Sequence, residues 1–317
     1  MGDTVFIGSC GGTFYALEKA SGLARWQYDI RQDGRQTSFH GDPLVDGSRI
    51  LVATDHSCTN DGIGHVYAFS VKTGAIEWKL PSEVGLSTNI VRVGSSGWVG
   101  RIDGGWARFE LATGRSQGSV ALNKANIPCE LPKWIVASGR QLFTVGRDNA
   151  VYSISQSGKI RWRHELPAPA STPPVIFGHD ILVGSDDQRL YRLSGRKGVL
   201  SVYSELTGVP IGRPLVIGDT VYLFLSRADG SGAIAAVRAG KPLWIVPLSS
   251  KPSSEQPYVR NTTVLAGMCD GTLIAVHATD GEPAWTLSLD GCIRSIGGDG
   301  VALFVGAEQG TVYALEP

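Results

Sequence analysis

The sequence predicts an all-β fold, an eight-bladed β-propeller of four-stranded antiparallel blades with seven blades as the alternative, on three observations. One unit recurs from end to end: an apolar run, a Gly-rich turn, a second run ending like Tyr-Ala-Leu, and a polar turn closed by Gly. The last apolar residue of the second run falls at Leu17, Phe69, Phe109, Ile154, Leu193, Val237, Val276 and Leu315. A period of about 40 residues made of short strands marks propeller blades, units that bury their faces only by stacking on one another. In addition, no window carries an apolar stripe at helical spacing with caps at its ends. Finally, the 41 glycines lie along the chain at turn positions instead of gathering in a linker. A length of 317 residues would ordinarily suggest two domains, but an even repeat suggests one closed ring, a single domain over 1–317.

The first unit, Gly2 to Trp26, reads as strand, turn, strand, turn, strand, with Val5-Phe6-Ile7 and Phe14-Tyr15-Ala16-Leu17 as its apolar runs. Later units add a strand in front: Pro43-Leu44-Val45, Ile90 to Val93, Trp134-Ile135-Val136, Pro174-Val175-Ile176, Pro214-Leu215-Val216, Pro257-Tyr258-Val259 and Arg294-Ser295-Ile296. The strands are lettered A to D from axis to rim. B strands such as Ile50-Leu51-Val52 and Val221 to Phe224 are continuous apolar runs, as expected of strands buried on both faces. The first unit starts at B and the last stops after C, so a segment upstream of Met1 is expected to supply the missing D and A strands and close the ring.

Lysine and arginine number 29 and so do aspartate and glutamate, so no net field draws the chain to nucleic acid or to an anionic membrane. There is no transmembrane stretch and no signal peptide in the chain as it stands. Five cysteines without a CxxC argue against a disulfide framework and a structural zinc site, with Cys10 to Cys58 the one bridge considered, and unpaired thiols lean towards the cytoplasm. His56, Cys58, Asp61 and His65 are ligand types close in sequence, but their spacing fits no standard zinc pattern, so no metal is expected.

Tyr stands at the repeat position in Tyr15, Tyr67, Tyr152, Tyr191 and Tyr313, and Trp stands four residues after the turn glycine in Trp26, Trp78, Trp162, Trp244 and Trp285. Gly118 and Val202 replace Trp in two units, and no Trp-Asp dipeptide occurs, against a WD40-like assignment. With these residues the unit resembles the PQQ-type, quinoprotein-like propeller repeat, over essentially the whole chain. The resemblance implies that the five Trp pack between blades. It does not imply the quinone (PQQ), because the quinone-binding dehydrogenases are much longer and use an adjacent-cysteine disulfide with calcium-binding acidic and amide side chains. The similarity is greater to short, non-catalytic members such as outer-membrane assembly lipoproteins, which points to the cell envelope.

Strand alternation puts the D–A and B–C connections on one face, which carries the length variation, the longest excursion being Thr54 to Gly64. Loops on a rigid scaffold commonly carry function. The mouth of the funnel on that face is expected to present His40, Asp42, Asn89, Arg101, Lys133, Trp134, Arg147, Arg213, Glu255, Gln256 and Arg294. Arg101, Arg147 and Lys133 would form a basic sector for an anionic group or acidic segment, unless Glu130, Asp103 and Asp148 satisfy them locally. No nucleophile elbow, Walker loop or HExxH occurs. The expected function is that of a non-catalytic, monomeric scaffold that binds a protein or peptide partner and needs no cofactor. The alternatives are a quinone- or metal-dependent enzyme and the ligand-sensing domain of a larger protein.

Overall fold

The computed structural model describes residues 2–9, 11–34, 36, 38–39, 41–55, 63–121, 133–146 and 148–315, with the side chains of 133, 134 and 309 excepted. Blade 1 is β1 (Thr4–Gly8), β2 (Thr13–Glu18) and β3 (Ala24–Asp29). Blade 2 has its innermost strand in two pieces, β4 (Ser38–Phe39) and β5 (Leu44–Asp46), both paired with β6 (Arg49–Asp55), followed by β7 (Gly64–Ser70) and β8 (Ile76–Ser82). Blade 3 is β9 (Val91–Val93), β10 (Ser96–Gly100), β11 (Gly105–Glu110) and β12 (Ser116–Ala121), and blade 4 is β13 (Lys133–Ser138), β14 (Gln141–Val145), β15 (Ala150–Ser155) and β16 (Ile160–Glu165).

Blade 5 is β17 (Val175–Phe177), β18 (Asp180–Ser185), β19 (Arg189–Ser194) and β20 (Leu200–Glu205), and blade 6 is β21 (Val209–Ile217), β22 (Thr220–Ser226), β23 (Gly232–Arg238) and β24 (Lys241–Leu248). Blade 7 is β25 (Tyr258–Arg260), β26 (Thr263–Gly267), β27 (Thr272–His277) and β28 (Pro283–Ser288), and blade 8 is β29 (Ile293–Gly298), β30 (Leu303–Ala307) and β31 (Thr311–Leu315). Strands pair antiparallel in sequence order within each sheet. The fold is therefore the eight-bladed propeller and not its seven-bladed alternative; among the described residues the first and last blades have three strands, in the positions B to D and A to C. The blades group into two compact units, 1–165 and 166–317.

In each unit the core lies between neighbouring blades, and a two-residue period explains it. On β6, Ile50 and Val52 join Phe14 and Tyr67 at the first seam, while Leu51 and Ala53 join Val99 and Phe109 at the second. On β22, Val221, Leu223 and Leu225 face Leu182 and Leu190, while Tyr222 and Phe224 face Val264 and Ala266. Alternate residues of one strand serve two cores, so both must be apolar, and the run reads as continuous. The seam between blades 3 and 4 holds Trp98 and Trp106, both fully buried, on β10 and β11. Removing about 150–250 Å² each from water is worth about 4–6 kcal/mol per indole as an upper estimate.

The C-to-D turn shows why its glycine recurs. Gly22, Gly74, Gly114, Gly198 and Gly281 have φ between 67° and 79° and donate N–H to the carbonyl four residues back at 2.8–2.9 Å. A left-handed residue that closes such a turn favours glycine. Seven blades also carry a register shift between strands C and D, at Ala16/Leu17 in the first. A bulge there sharpens the local twist of the outer strand.

The same glycine takes the indole of the preceding blade. A Cβ on Gly74 would stand 2.5 Å from the Trp26 ring, one on Gly114 2.4 Å from Trp78, and one on Gly281 2.9 Å from Trp244. Trp26 and Trp244 also donate Nε1–H to the Val71 and Ala278 carbonyls, at 3.1 and 3.0 Å. Trp162 is half-buried, with its ring 5.9 Å from that of Phe143. Trp285 differs from the inter-blade expectation: it is 40% exposed, since blade 8 has no C–D turn among the described residues to lie against it.

Candidate functional site

The D–A and B–C connections are held by a recurring hydroxyl lock. Ahead of strand A in blades 3, 5 and 7, Ser87, Ser171 and Ser253 donate N–H to the carbonyl of the glycine near the end of strand B, at 3.0, 2.9 and 2.8 Å. The next residue, Thr88, Thr172 or Ser254, accepts the N–H of the same glycine (Gly100, Gly184 or Gly267) through its hydroxyl, at 2.8, 2.8 and 3.1 Å. These hydroxyls are buried, as their full use as donor or acceptor allows. The residue after the lock is thereby set at the innermost edge of the loop face.

In the first unit that residue is Asn89. Its Oδ1 accepts the Ile135 N–H at 3.2 Å and its Nδ2 donates to the Ile135 carbonyl at 3.0 Å, so it clasps the inner strand of the next blade. Gly41 approaches the Asn89 backbone so closely that a Cβ would sit at 2.4 Å. Asp42 beside it is exposed. Arg101 forms a two-pronged ion pair with Asp103, Nη2 to Oδ2 at 2.5 Å, as the local-satisfaction alternative expected. Asp148 is engaged by Arg163 at 3.0 Å and by the Tyr152 hydroxyl. His40, Arg147 and Glu130 lie outside the described residues, as do the side chains of Lys133 and Trp134 and the excursion from 56 to 62.

In the second unit the predicted residues come together on three consecutive blades. Arg213 donates its backbone N–H to the Glu255 carbonyl at 2.8 Å and its Nε–H to Gln256 Oε1. Gly212, at φ 66°, permits this approach, for a Cβ there would lie 2.4 Å from the Glu255 carbonyl oxygen. Glu255 N–H in turn donates to the Arg294 carbonyl at 3.2 Å, and the Arg294 guanidinium pairs with Glu308, Nε to Oε1 at 2.9 Å. The outcome is a ridge of alternating charge with Glu255, Arg294 and Glu308 exposed at its crest.

This ridge is stapled by a disulfide between Cys269, in the β26–β27 turn, and Cys292, ahead of β29. The expectation of unpaired thiols fails here. The two residues are 23 apart in sequence, with no motif to mark them, and only the packing of blade 8 on blade 7 brings their Cα atoms within 3.8 Å. Cys10, Cys58 and Cys129 lie outside the described residues.

A polar cluster missed by the sequence reading pins the first D–A connection. Asp33 accepts from Lys79 Nζ at 2.6 Å, Tyr28 at 2.5 Å and Tyr67 at 3.0 Å. Buried Gln36 donates to the Ile30 carbonyl at 3.1 Å and to the Tyr67 hydroxyl, and its Oε1 meets the Thr54 hydroxyl and, at 3.0 Å, His65 Nδ1. Burial raises the Asp33 carboxyl, but the donors from Lys79, Tyr28 and Tyr67 outweigh it and hold it below its ordinary value. Burial lowers His65 and raises Tyr67. His65 is thus committed to this cluster, while His56, Cys58 and Asp61 lie outside the described residues. Isolated polar residues scattered over 28–79 carry no periodic signal that could have announced it.

Among the described residues no three His, Cys, Asp or Glu side chains converge as metal ligands. The quinone site of the longer dehydrogenases does not fit the residues present: the sequence has no adjacent cysteines, and the acids Asp103 and Glu308 are taken by Arg101 and Arg294.

A family model described as outer membrane protein assembly factor BamB matches residues 1–105 and 103–317. The chain belongs to this BamB family. BamB of Burkholderia pseudomallei (strain K96243) is 25% identical over 167 residues, 47% of this chain and 40% of that protein. BamB of Legionella pneumophila (strain Paris) is 23% identical over 233 residues, 71% of this chain and 47% of that protein. The matches thus span less than half the length of these two BamB relatives. BamB from Moraxella catarrhalis, as a crystal structure, superposes with a TM-score of 0.77 at 18% identity, over 100% of this chain and 94% of that one. The computationally designed Ika8 protein gives 0.79 at 13% identity, over 99% and 93%. Dihydro-heme d1 dehydrogenase NirN gives 0.77 at 12%, over 99% and 70%. At such identities the likeness is one of fold, shared by an assembly factor, a designed protein and a dehydrogenase.

Proposed function

We propose that the chain is a non-catalytic, monomeric propeller that holds a protein or peptide partner on its D–A and B–C loop face and serves the assembly of outer membrane proteins in a bacterial envelope. The observation that carries this is the family match along residues 1–317, to a model named for an assembly factor rather than an enzyme. The residues assigned to partner contact are Asp42, Arg101, Arg213, Glu255, Gln256 and Arg294, with His40 and Arg147 on the same connections in the sequence and Lys133 and Trp134 at the start of β13. Asn89 positions that face by its clasp on Ile135. The chemistry that supports a protein partner is a rigid ridge of both charge signs, which suits a complementary polar segment and disfavours a simple polyanion. Net charge +0 supports a partner other than nucleic acid. A disulfide on this face supports an oxidising compartment, hence the envelope.

The test is a photo-crosslinking residue placed at Glu255 in envelope-bearing cells, with Lys241, the first residue of β24 after the C–D turn of blade 6, as control. A discrete crosslinked species from position 255 alone, identified by mass spectrometry as a component of outer membrane assembly, is expected. No such species, or the same one from both positions, overturns the proposal.

A further inference from the structure

At the other ends of the strands, where the A–B and C–D turns lie, blades 3 and 4 of the first unit enclose an open groove of about 530 Å³. This is within the range of small-molecule sites, about 300–1,000 Å³. Three arginines line it: Arg108 from β11, Arg140 from the β13–β14 turn and Arg161 from β16. Ser155, at the end of β15, Ser157, from the β15–β16 turn, and glutamines complete the polar wall, and among the described residues no carboxylate lines it.

The absence of an acid sets this groove apart from the same turns of blades 1, 2, 5 and 6. In blades 1, 2, 5 and 6 an aspartate at the A–B turn or beside the start of strand B neutralises an arginine: Asp3 with Arg25, Asp46 with Arg49, Asp180 with Arg192 and Asp219 with Arg238, at 2.5–3.2 Å. In blades 3 and 4 the corresponding turns read Gly94-Ser95 and Gly139-Arg140, and the second even adds a charge. Among the described residues Arg140 and Arg161 are exposed and enter no ion pair. Arg108 is fixed in place: its guanidinium lies 5.7 Å from the centroid of the buried Trp98 ring and its Nη1 donates to the Gln156 carbonyl at 2.9 Å. Its Nε is buried without a hydrogen-bond partner. Like charges gathered in one concavity without a counter-charge repel one another, and a bound anion relieves that cost.

We propose that this groove binds a phosphate group, carried either by a small soluble molecule or by a lipid headgroup. Guanidinium forks match phosphate oxygens, and a phosphate monoester offers three acceptor oxygens and close to two charges where a carboxylate offers two oxygens and one. Three guanidiniums converging on one cavity suit the former.

The full chain is titrated with inorganic phosphate and with glucose 6-phosphate by calorimetry, and floated with phosphatidylcholine vesicles with and without phosphatidic acid, whose headgroup is a phosphate monoester. The doubly substituted Arg140→Glu, Arg161→Glu is compared with Lys197→Glu, Lys241→Glu, which makes the same charge change at positions outside the groove. Both pairs are exposed, so melting temperatures are expected to hold and to certify folding. Losing two charged donors is expected to weaken binding by about tenfold or more. Saturable binding of the soluble phosphates that only the arginine double variant loses supports a soluble ligand; flotation on phosphatidic acid alone, lost in the same variant, supports a headgroup. Absence of both, equal effects of the two double variants, or binding of polyglutamate with indifference to phosphate overturns the proposal.

Discussion

Replacing Asn89 by alanine tests whether the loop face is built by the clasp on Ile135. The inner edge of β13 would otherwise present its Ile135 N–H and carbonyl unpaired, and Ile135 is fully buried. Asn89 satisfies both, at 3.2 and 3.0 Å. A buried backbone group left without a partner costs about 1–3 kcal/mol, so two cost about 2–6 kcal/mol, and about 2–3 kcal/mol is expected because water can enter where the half-buried side chain was. Asn89→Asp keeps the acceptor but loses the donor and turns a carboxylate towards a carbonyl, so it is expected to cost at least as much. Urea unfolding gives the global change, and hydrogen exchange at the Ile135 amide gives the local one, which is expected to accelerate by about thirtyfold or more, since each 1.4 kcal/mol is a factor of ten. Unchanged exchange at Ile135 together with stability within about 0.5 kcal/mol of the parent would refute the clasp and return Asn89 to the set of partner-contacting residues.

Further outcomes follow from other contacts. Gly47→Ala and Gly74→Ala impose a similar left-handed strain, at φ 63° and 70°, but only the second meets the Trp26 ring, at 2.5 Å. Gly74→Ala is therefore expected to be the more destabilising by about 1–3 kcal/mol in thermal or urea unfolding, and equal losses would argue against the indole seam. The Asp33 carboxyl is held below its ordinary value, so its contribution is full above the unfolded pKa of about 4 and is lost as pH falls through the folded value. Asp33→Asn should flatten the acid limb of a melting-temperature profile, and an unchanged limb would count against the cluster. Burial lowers the His65 pKa, so the unfolded chain takes up its proton first and stability falls as pH drops below about 6.5, a slope that His65→Gln should reduce. The Cys269–Cys292 bridge spans 23 residues, which the chain-entropy relation values at about 3 kcal/mol, and Cys292→Ser should lose about that much. A thiol titration in denaturant without reductant that finds all five cysteines reactive would exclude the bridge.

The blade repeat was legible because propeller strands B and C serve a core on each side and cannot hide a polar residue on either. Ile50-Leu51-Val52 and Val221 to Phe224 announce their burial by composition alone. The indoles at Trp26, Trp78 and Trp244 were legible for the same reason, each sitting a fixed distance after the glycine of its own turn and against the equivalent glycine of the next blade. Trp98 and Trp106 were not singled out, although among the described residues they are the largest fully buried side chains, because they interrupt the repeat instead of repeating it. The site was legible only as a set of positions. That Arg101 is taken by Asp103, that Arg213 reaches Gln256 and that Asn89 faces a backbone strand all depend on rotamers and on neighbouring blades, which spacing along one chain does not encode.

The sequence by itself determined the strand count per unit, the turn chemistry and the propeller class, since these rest on local periodicity and on glycine's access to left-handed backbone. Tertiary structure alone decided the disulfide, the Asp33–Gln36–His65 cluster, the charge ridge at Arg213 to Glu308 and the arginine groove between blades 3 and 4. Each of those joins side chains from connections or strands that meet only when blades stack, and electrostatic and covalent bonds respond to distance in space, not in sequence.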